Sequence, residues 1–166
     1  WKEAKDKTNK IRQRLLKIRA KKVILATGAI ERPLIFNNND RPGIMLANSV
    51  KKYIDYFGVR CGNKNIIFTN NDSAYETAIS LNKKGINVTI VDIRNSSSSM
   101  LVKNAKDAGI KIYWNHTVVD TKGYRRIKSI QIMKMSEDST NVVDSKINLV
   151  CDNLSISGGW TPMVHL

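Results

Sequence analysis

The sequence predicts an α/β fold: a parallel sheet with helical crossovers and a small antiparallel meander beside it. Three observations carry that expectation. Between residues 65 and 114, short apolar runs alternate with segments of helical periodicity, the pattern of parallel strands joined by right-handed crossovers. The helical segments stop at Gly58, Gly85 and Gly109, as helices that end in a left-handed cap do. After residue 116 the apolar runs are strand-like and have no helix between them, which suits a meander.

Taken in order, residues 1–10 are polar and charged and read as a frayed end. Ile11 to Arg19 alternates loosely and suits an exposed strand or a meander tail feeding the apolar run Val23 to Ala26. Asn37-Asn38-Asn39-Asp40 with Arg41-Pro42-Gly43 is a turn-rich loop. Ala47, Val50, Ile54 and Phe57 fall at helical spacing and predict an amphipathic helix ending at Gly58. Asn65 to Phe68 is a short apolar strand. Ser73-Ala74-Tyr75-Glu76 has capping-box form, with the Ser73 hydroxyl set to meet the Glu76 amide and the Glu76 side chain reaching back. The helix behind it carries Ala74, Ala78 and Leu81 on one face. Val88 to Val91 is the next strand, ending in Asp92. Ser96 to Ser99 caps a helix carrying Leu101, Ala105 and Ala108, and Ile110 to Trp114 resumes as strand. Thr117 to Val119, Ile127 to Met133 and Ile147 to Val150 form the expected meander, with a loop near Ser136 to Thr140. Leu154 to Ser157 is a last buried strand running into Gly158-Gly159.

Composition sets limits on function. The chain has 166 residues, with an apolar share of 42% and a charged share of 25%, ordinary for a folded domain with a real core. Its apolar runs fall short of the roughly 20 residues that span a bilayer, so no membrane role is expected. Cys61 and Cys151 make neither a Cys-x-x-Cys pair nor a zinc pattern, which reads as reduced thiols in a cytoplasmic compartment. The net charge of +14 raises nucleic-acid binding. The excess is concentrated in Trp1 to Lys22 and otherwise scattered, so a solvated face or a face for other domains is the better reading. His116 and His165 have no partner at metal spacing, and no metal site is expected. The pair Glu31-Arg32 reads as a surface ion pair, with ligand contact by Arg32 as the alternative.

The most informative string is Lys22-Val23-Ile24-Leu25-Ala26-Thr27-Gly28-Ala29-Ile30-Glu31-Arg32-Pro33, followed by Arg41-Pro42-Gly43. Small residues after an apolar run let backbone lie close to a ligand. Together with Phe68 to Tyr75, Val119 to Gly123 and Ser155 to Leu166, in the same order, this string resembles the alpha subunits of heterotetrameric sarcosine oxidase. These are two-dinucleotide flavoproteins of the pyridine-nucleotide reductase type. The resemblance implies a Rossmann-like three-layer nucleotide-binding domain over residues 23–166, behind a polar end and exposed strand at 1–22. It also implies that the chain is an internal piece of a longer subunit, lacking the N-terminal glycine fingerprint and the C-terminal folate-binding region. It places noncovalent NAD near Ala26, Thr27, Gly28, Gly159 and Trp160, and FAD and FMN elsewhere in the complex. The implied partners are beta, gamma and delta subunits, with tetrahydrofolate at the C-terminal region. The isolated piece is expected to hold no cofactor and to be inactive. Catalytic residues are not expected within it.

A second nucleotide site belongs at Thr69, Asn70, Asn71, Asp72 and Ser73. A glycine-rich loop before a helix cradles pyrophosphate on bare amides. Relatives often read Gly-Gly-Gly-Asp-Ser-Ala there, and this chain reads Thr-Asn-Asn-Asp-Ser-Ala. Side chains should crowd the seat, and Asp72 adds negative charge. Asp92 stands where a ribose-binding acid is expected, or serves as a strand-end cap. The expectation is a degenerate, empty second site. Alternatives are a subunit of another amine, opine or proline dehydrogenase, or a nonenzymatic interaction module that kept the fold.

Overall fold

Strand pairing in the middle of the chain is parallel, as the alternation of strand and helix requires. The computed structural model describes residues 4–5, 11–13, 15–143 and 145–165. In chain order the elements are β1 (Ala4–Lys5), β2 (Ile11–Gln13), β3 (Ala29–Glu31), β4 (Ile44–Leu46), α1 (Ala47–Asp55), β5 (Lys64–Thr69), α2 (Ser73–Lys83), β6 (Asn87–Asp92), α3 (Met100–Asp107), β7 (Lys111–Trp114), β8 (His116–Lys122), β9 (Ser129–Lys134), β10 (Ile147–Val150), β11 (Asn153–Ser157) and β12 (Trp160–Pro162). The main sheet runs β4-β11-β5-β6-β7 and is parallel throughout. Its second strand, β11, comes from the far end of the chain and wedges between β4 and β5. The meander β10-β9-β8 is antiparallel, and β12 pairs antiparallel with β3.

The period-2 alternation of the strands sorts their side chains into two cores. Ile67 of β5 and Val88 and Ile90 of β6 face the helices, where Val50, Ile54, Tyr75, Ala78, Leu81, Val102 and Ala105 meet them. Ile66, Phe68, Val91, Leu154 and Ile156 face the other way and pack on Val118, Ile127, Ile130 and Ile132 of the meander. Helices, parallel sheet and meander therefore make three layers, the expected α/β arrangement. On the helix-facing side of β11, buried polar groups satisfy each other. Asn65 Nδ2 donates to Ser155 Oγ at 2.9 Å and also to Asn153 Oδ1, while Asn153 Nδ2 reaches the Gly43 carbonyl at 3.0 Å.

Several local expectations change. Val23 to Ala26 forms no strand. No described segment offers it a ladder, and Val23, Ile24 and Leu25 are exposed, Ile24 at 91%. The strand begins instead at Ala29, after the left-handed Gly28 (φ +75°). Of Ile11 to Arg19, only Ile11–Gln13 is strand, paired with β1, and residues 15–19 are not. The supposed frayed end includes the strand residues Ala4 and Lys5, while residues 1–3 and 6–10 lie outside the described residues, as does Leu166. α1 ends before Phe57, which is exposed. α3 buries Val102 and Ala105, whereas Ala108 is exposed past its end. Its predicted cap holds: Ser99 Oγ accepts from the Val102 amide at 3.4 Å. The capping box at Ser73 does not form, because the Ser73 hydroxyl is engaged elsewhere and Glu76 lies 3.6 Å from Lys51. No described helix is long and apolar enough to cross a membrane.

Candidate functional site

The Ala-Thr-Gly and Gly-Gly-Trp strings meet at one corner. Trp160, Thr161 and Pro162 pair with Glu31, Ile30 and Ala29. The pairing extends outward: the Met163 amide donates to the Gly28 carbonyl at 3.0 Å, and the Thr27 hydroxyl donates to the Met163 carbonyl. Two glycines make the turn. Gly159 takes φ +96°, a conformation that side chains rarely adopt, and a Cβ on Gly158 would stand 3.0 Å from the Pro33 carbonyl oxygen. Two backbone bonds clamp them: the Gly158 amide donates to the Arg32 carbonyl at 2.7 Å, and the Arg32 amide to the Gly159 carbonyl at 2.8 Å. Around Gly28 the space a Cβ would take is open, so its positive φ, not crowding by the chain, is what requires glycine there.

Glu31 and Arg32 do not pair. Glu31 is 6% exposed, and its carboxylate accepts the Asn48 amide at 2.9 Å, at the start of α1. Leu46, the residue before that helix, offers no side-chain cap, so a strand residue serves instead. Burial of Glu31 took its partner away, and Arg32 is left exposed beside Gly159, where a Cβ would stand 3.6 Å from a guanidinium nitrogen. Among the described residues no group pairs with that guanidinium. The open backbone at Gly28 and Gly159, an exposed cation and the flank of an indole could hold part of a dinucleotide. Ala26 lies on the exposed approach to this corner.

The second loop presents the opposite picture. Thr69 Oγ1 accepts the Asn71 amide at 3.1 Å, and Asn71 Nδ2 reaches the Ser157 carbonyl at 3.1 Å and the Asn70 side chain at 3.2 Å. Ser73 Oγ donates to Asn71 Oδ1 at 2.6 Å. Asp72 turns away from the helix amides toward Arg94 at 2.8 Å and Ser97 at 2.9 Å. Partial burial pushes its pKa up, but the bonds from Arg94 and Ser97 outweigh that and leave it below the usual value. Asp92 is 0% exposed and accepts from Tyr75 Oη at 2.7 Å and from Arg94 Nε and Nη2 at 3.0 and 2.8 Å. Burial, then the hydrogen bond to Asp92, holds the Tyr75 hydroxyl well above its ordinary pKa. Each carboxylate that would meet a ribose or a phosphate is thus bonded inside the protein. These residues do not fit a bound dinucleotide.

The parts that Tyr75 and Arg94 play at this loop do not show in the sequence. The only available signal is an arginine two residues past Asp92, and spacing alone does not say that it folds back. The remaining reactive groups are quiet. Cys61 and Cys151 are free thiols. Burial raises both, Cys151 to about 12, so the thiol form dominates. His116 bonds the Trp114 carbonyl at 2.6 Å, and no metal-binding cluster exists among the described residues.

A parallel sheet with helices on one face, a meander on the other and glycine turns at the strand ends is a three-layer α/β domain of Rossmann type. The chain belongs to the pyridine nucleotide-disulphide oxidoreductase family, whose model matches residues 2–163. It is 38% identical over 157 residues to the sarcosine oxidase subunit alpha of Corynebacterium sp. strain P-1, and 36% identical over 161 residues to that of Rhizobium meliloti strain 1021. Each match covers 93% of this chain but only 16% and 14% of the relative's length. Thioredoxin reductase of T. acidophilum shares the fold, with a TM-score of 0.64 at 16% identity, over 81% of this chain and 43% of that one.

Proposed function

We propose that this chain is the dinucleotide-holding and scaffolding part of a sarcosine oxidase-like alpha subunit. NAD is held noncovalently at the corner of Ala26, Thr27, Gly28, Gly159 and Trp160, and the loop at Thr69 to Ser73 holds no nucleotide. The juxtaposition of the two glycine strings beside Arg32, exposed and unpaired among the described residues, carries this reading, and the identity to the alpha subunits of Corynebacterium and Rhizobium supports it. Gly28 and Gly159 let backbone approach the ligand, Arg32 offers charge to a pyrophosphate, and the Trp160 ring offers a flat apolar face. NAD is by its chemistry a hydride acceptor. No group among these residues is assigned a part in hydride or electron transfer.

In this reading the full protein works in the cytoplasm with beta, gamma and delta subunits. The complex would oxidise the N-methyl group of sarcosine, the electrons passing through its flavins to oxygen to give peroxide and the methyl carbon leaving as formaldehyde or to tetrahydrofolate. The 166 residues alone should release no peroxide from sarcosine. NAD retention in the full-length protein tests the assignment. Gly28→Val forces a β-branched residue into a left-handed turn and should strip most of the NAD. Arg32→Ala should weaken retention about tenfold or more, the scale of a lost charge-assisted bond. Full NAD content in both purified variants would overturn the assignment.

A further inference from the structure

We propose that the second loop has exchanged phosphate binding for a bracing role at the first site, in which Ser73 and Asn71 are positioning residues that hold the Trp160 ring at the dinucleotide corner. This rests on the reading of Trp160 as a dinucleotide contact. Pairing of β12 with β3 fixes the Trp160 backbone but leaves the ring free to rotate about its side-chain bonds. The residue is 40% exposed, so packing alone does not settle the ring's orientation. What settles it is one hydrogen bond, from Trp160 Nε1 to Ser73 Oγ at 2.9 Å.

The bond directions leave little choice. An indole nitrogen only donates, so Ser73 must accept and send its single proton elsewhere. That proton goes to Asn71 Oδ1 at 2.6 Å. The other end of the same amide, Nδ2, donates to the Ser157 carbonyl at 3.1 Å and to Ser157 Oγ at 3.2 Å. Ser157 lies three residues before Trp160 on the same strand-to-turn segment. The chain Trp160, Ser73, Asn71, Ser157 therefore closes a ring that joins the end of β11 to the start of α2 and returns to the indole. A glycine at 71 would bare the backbone for phosphate and leave nothing to orient Ser73. The loss of glycine and the placement of the tryptophan are, in this reading, one change.

The test uses the full-length protein labelled with 5-fluorotryptophan, the Trp160 resonance being assigned with Trp160→Ala. Ser73→Ala and Asn71→Ala should shift and broaden that ¹⁹F line, leave the Trp114 line in place, and weaken NAD binding roughly fivefold, the scale of a neutral hydrogen bond. Ser73→Thr keeps the hydroxyl and should restore both readouts. An unmoved Trp160 line in both alanine variants overturns the brace. So does a moved line with undiminished NAD affinity, provided Trp160→Ala itself weakens binding. Undiminished affinity in Trp160→Ala would instead overturn the contact reading on which the brace rests.

Discussion

Asp72 stands at the N-terminus of α2, where amides and helix dipole would favour an anion, yet its carboxylate points to Arg94 and Ser97. Partial burial works against its charge, and the bonds from Arg94 and Ser97 more than offset this, so its folded pKa lies below its unfolded value. The sign follows from linkage: such a group stabilises the fold above its unfolded pKa, and the contribution fades as pH falls through the lower folded value. Asp72→Asn should therefore lower the urea midpoint at pH 7, with the gap to wild type closing below about pH 4. A gap of constant size down to pH 3 would show that the ion pair contributes nothing, as exposed pairs often do. The missing glycines at 69–71 were legible in the sequence, because residue identity alone states what the backbone of a phosphate loop lacks. The Arg94 side chain was not legible, since its direction depends on Asp92, Asp72 and the burial of Tyr75 together.

At the scale of elements, periodic segments and apolar runs of four or more residues between helices or turns read correctly, β10 among them, and three-residue strands did not. α2 and β6 carry enough apolar residues at fixed spacing to be recognised without their neighbours. β4 and β12 are three residues long and exist because a partner strand supplies their ladder, which no local pattern encodes. Val23 to Ala26 is the converse case: strand-like composition without a described partner, and hence no strand. α1 shows the same dependence on distant residues. Its N-terminal amide at Asn48 is capped by Glu31 of β3, 17 positions earlier. Glu31→Ala should cost about 0.5 to 2 kcal/mol, the range for a lost N-terminal cap, and Glu31→Gln, which keeps an acceptor, less than half of that. Denaturant midpoints at unchanged slope would check this. Equal losses in the two variants would mean that the charge, not the acceptor, does the capping.

For the molecule as a whole, the three-layer architecture was legible because alternation of strand and helix restricts topology so strongly. At the corner where β3 meets β12, Ile30 and Trp160 are exposed, whereas Leu34 packs partly against the meander-side core. Val23, Ile24 and Leu25 add to the exposed apolar surface, because they form no strand. Arg32, Pro33 and Leu34, just after β3, sit against Gly158. Exposed apolar side chains of this kind favour association, and the net charge of +14 opposes it. The isolated chain should accordingly be monomeric at low salt and associate as salt rises, because the screening length falls from about 10 Å at 0.1 M to about 3 Å at 1 M. Light scattering across a salt series measures the balance. Replacing Ile24 and Ile30 together by Ser should abolish the salt-induced association without unfolding the chain, since neither lies in the two buried cores. A wild-type chain that stays monomeric at high salt and high concentration would mean that residues 15–28 fold back over this surface in solution.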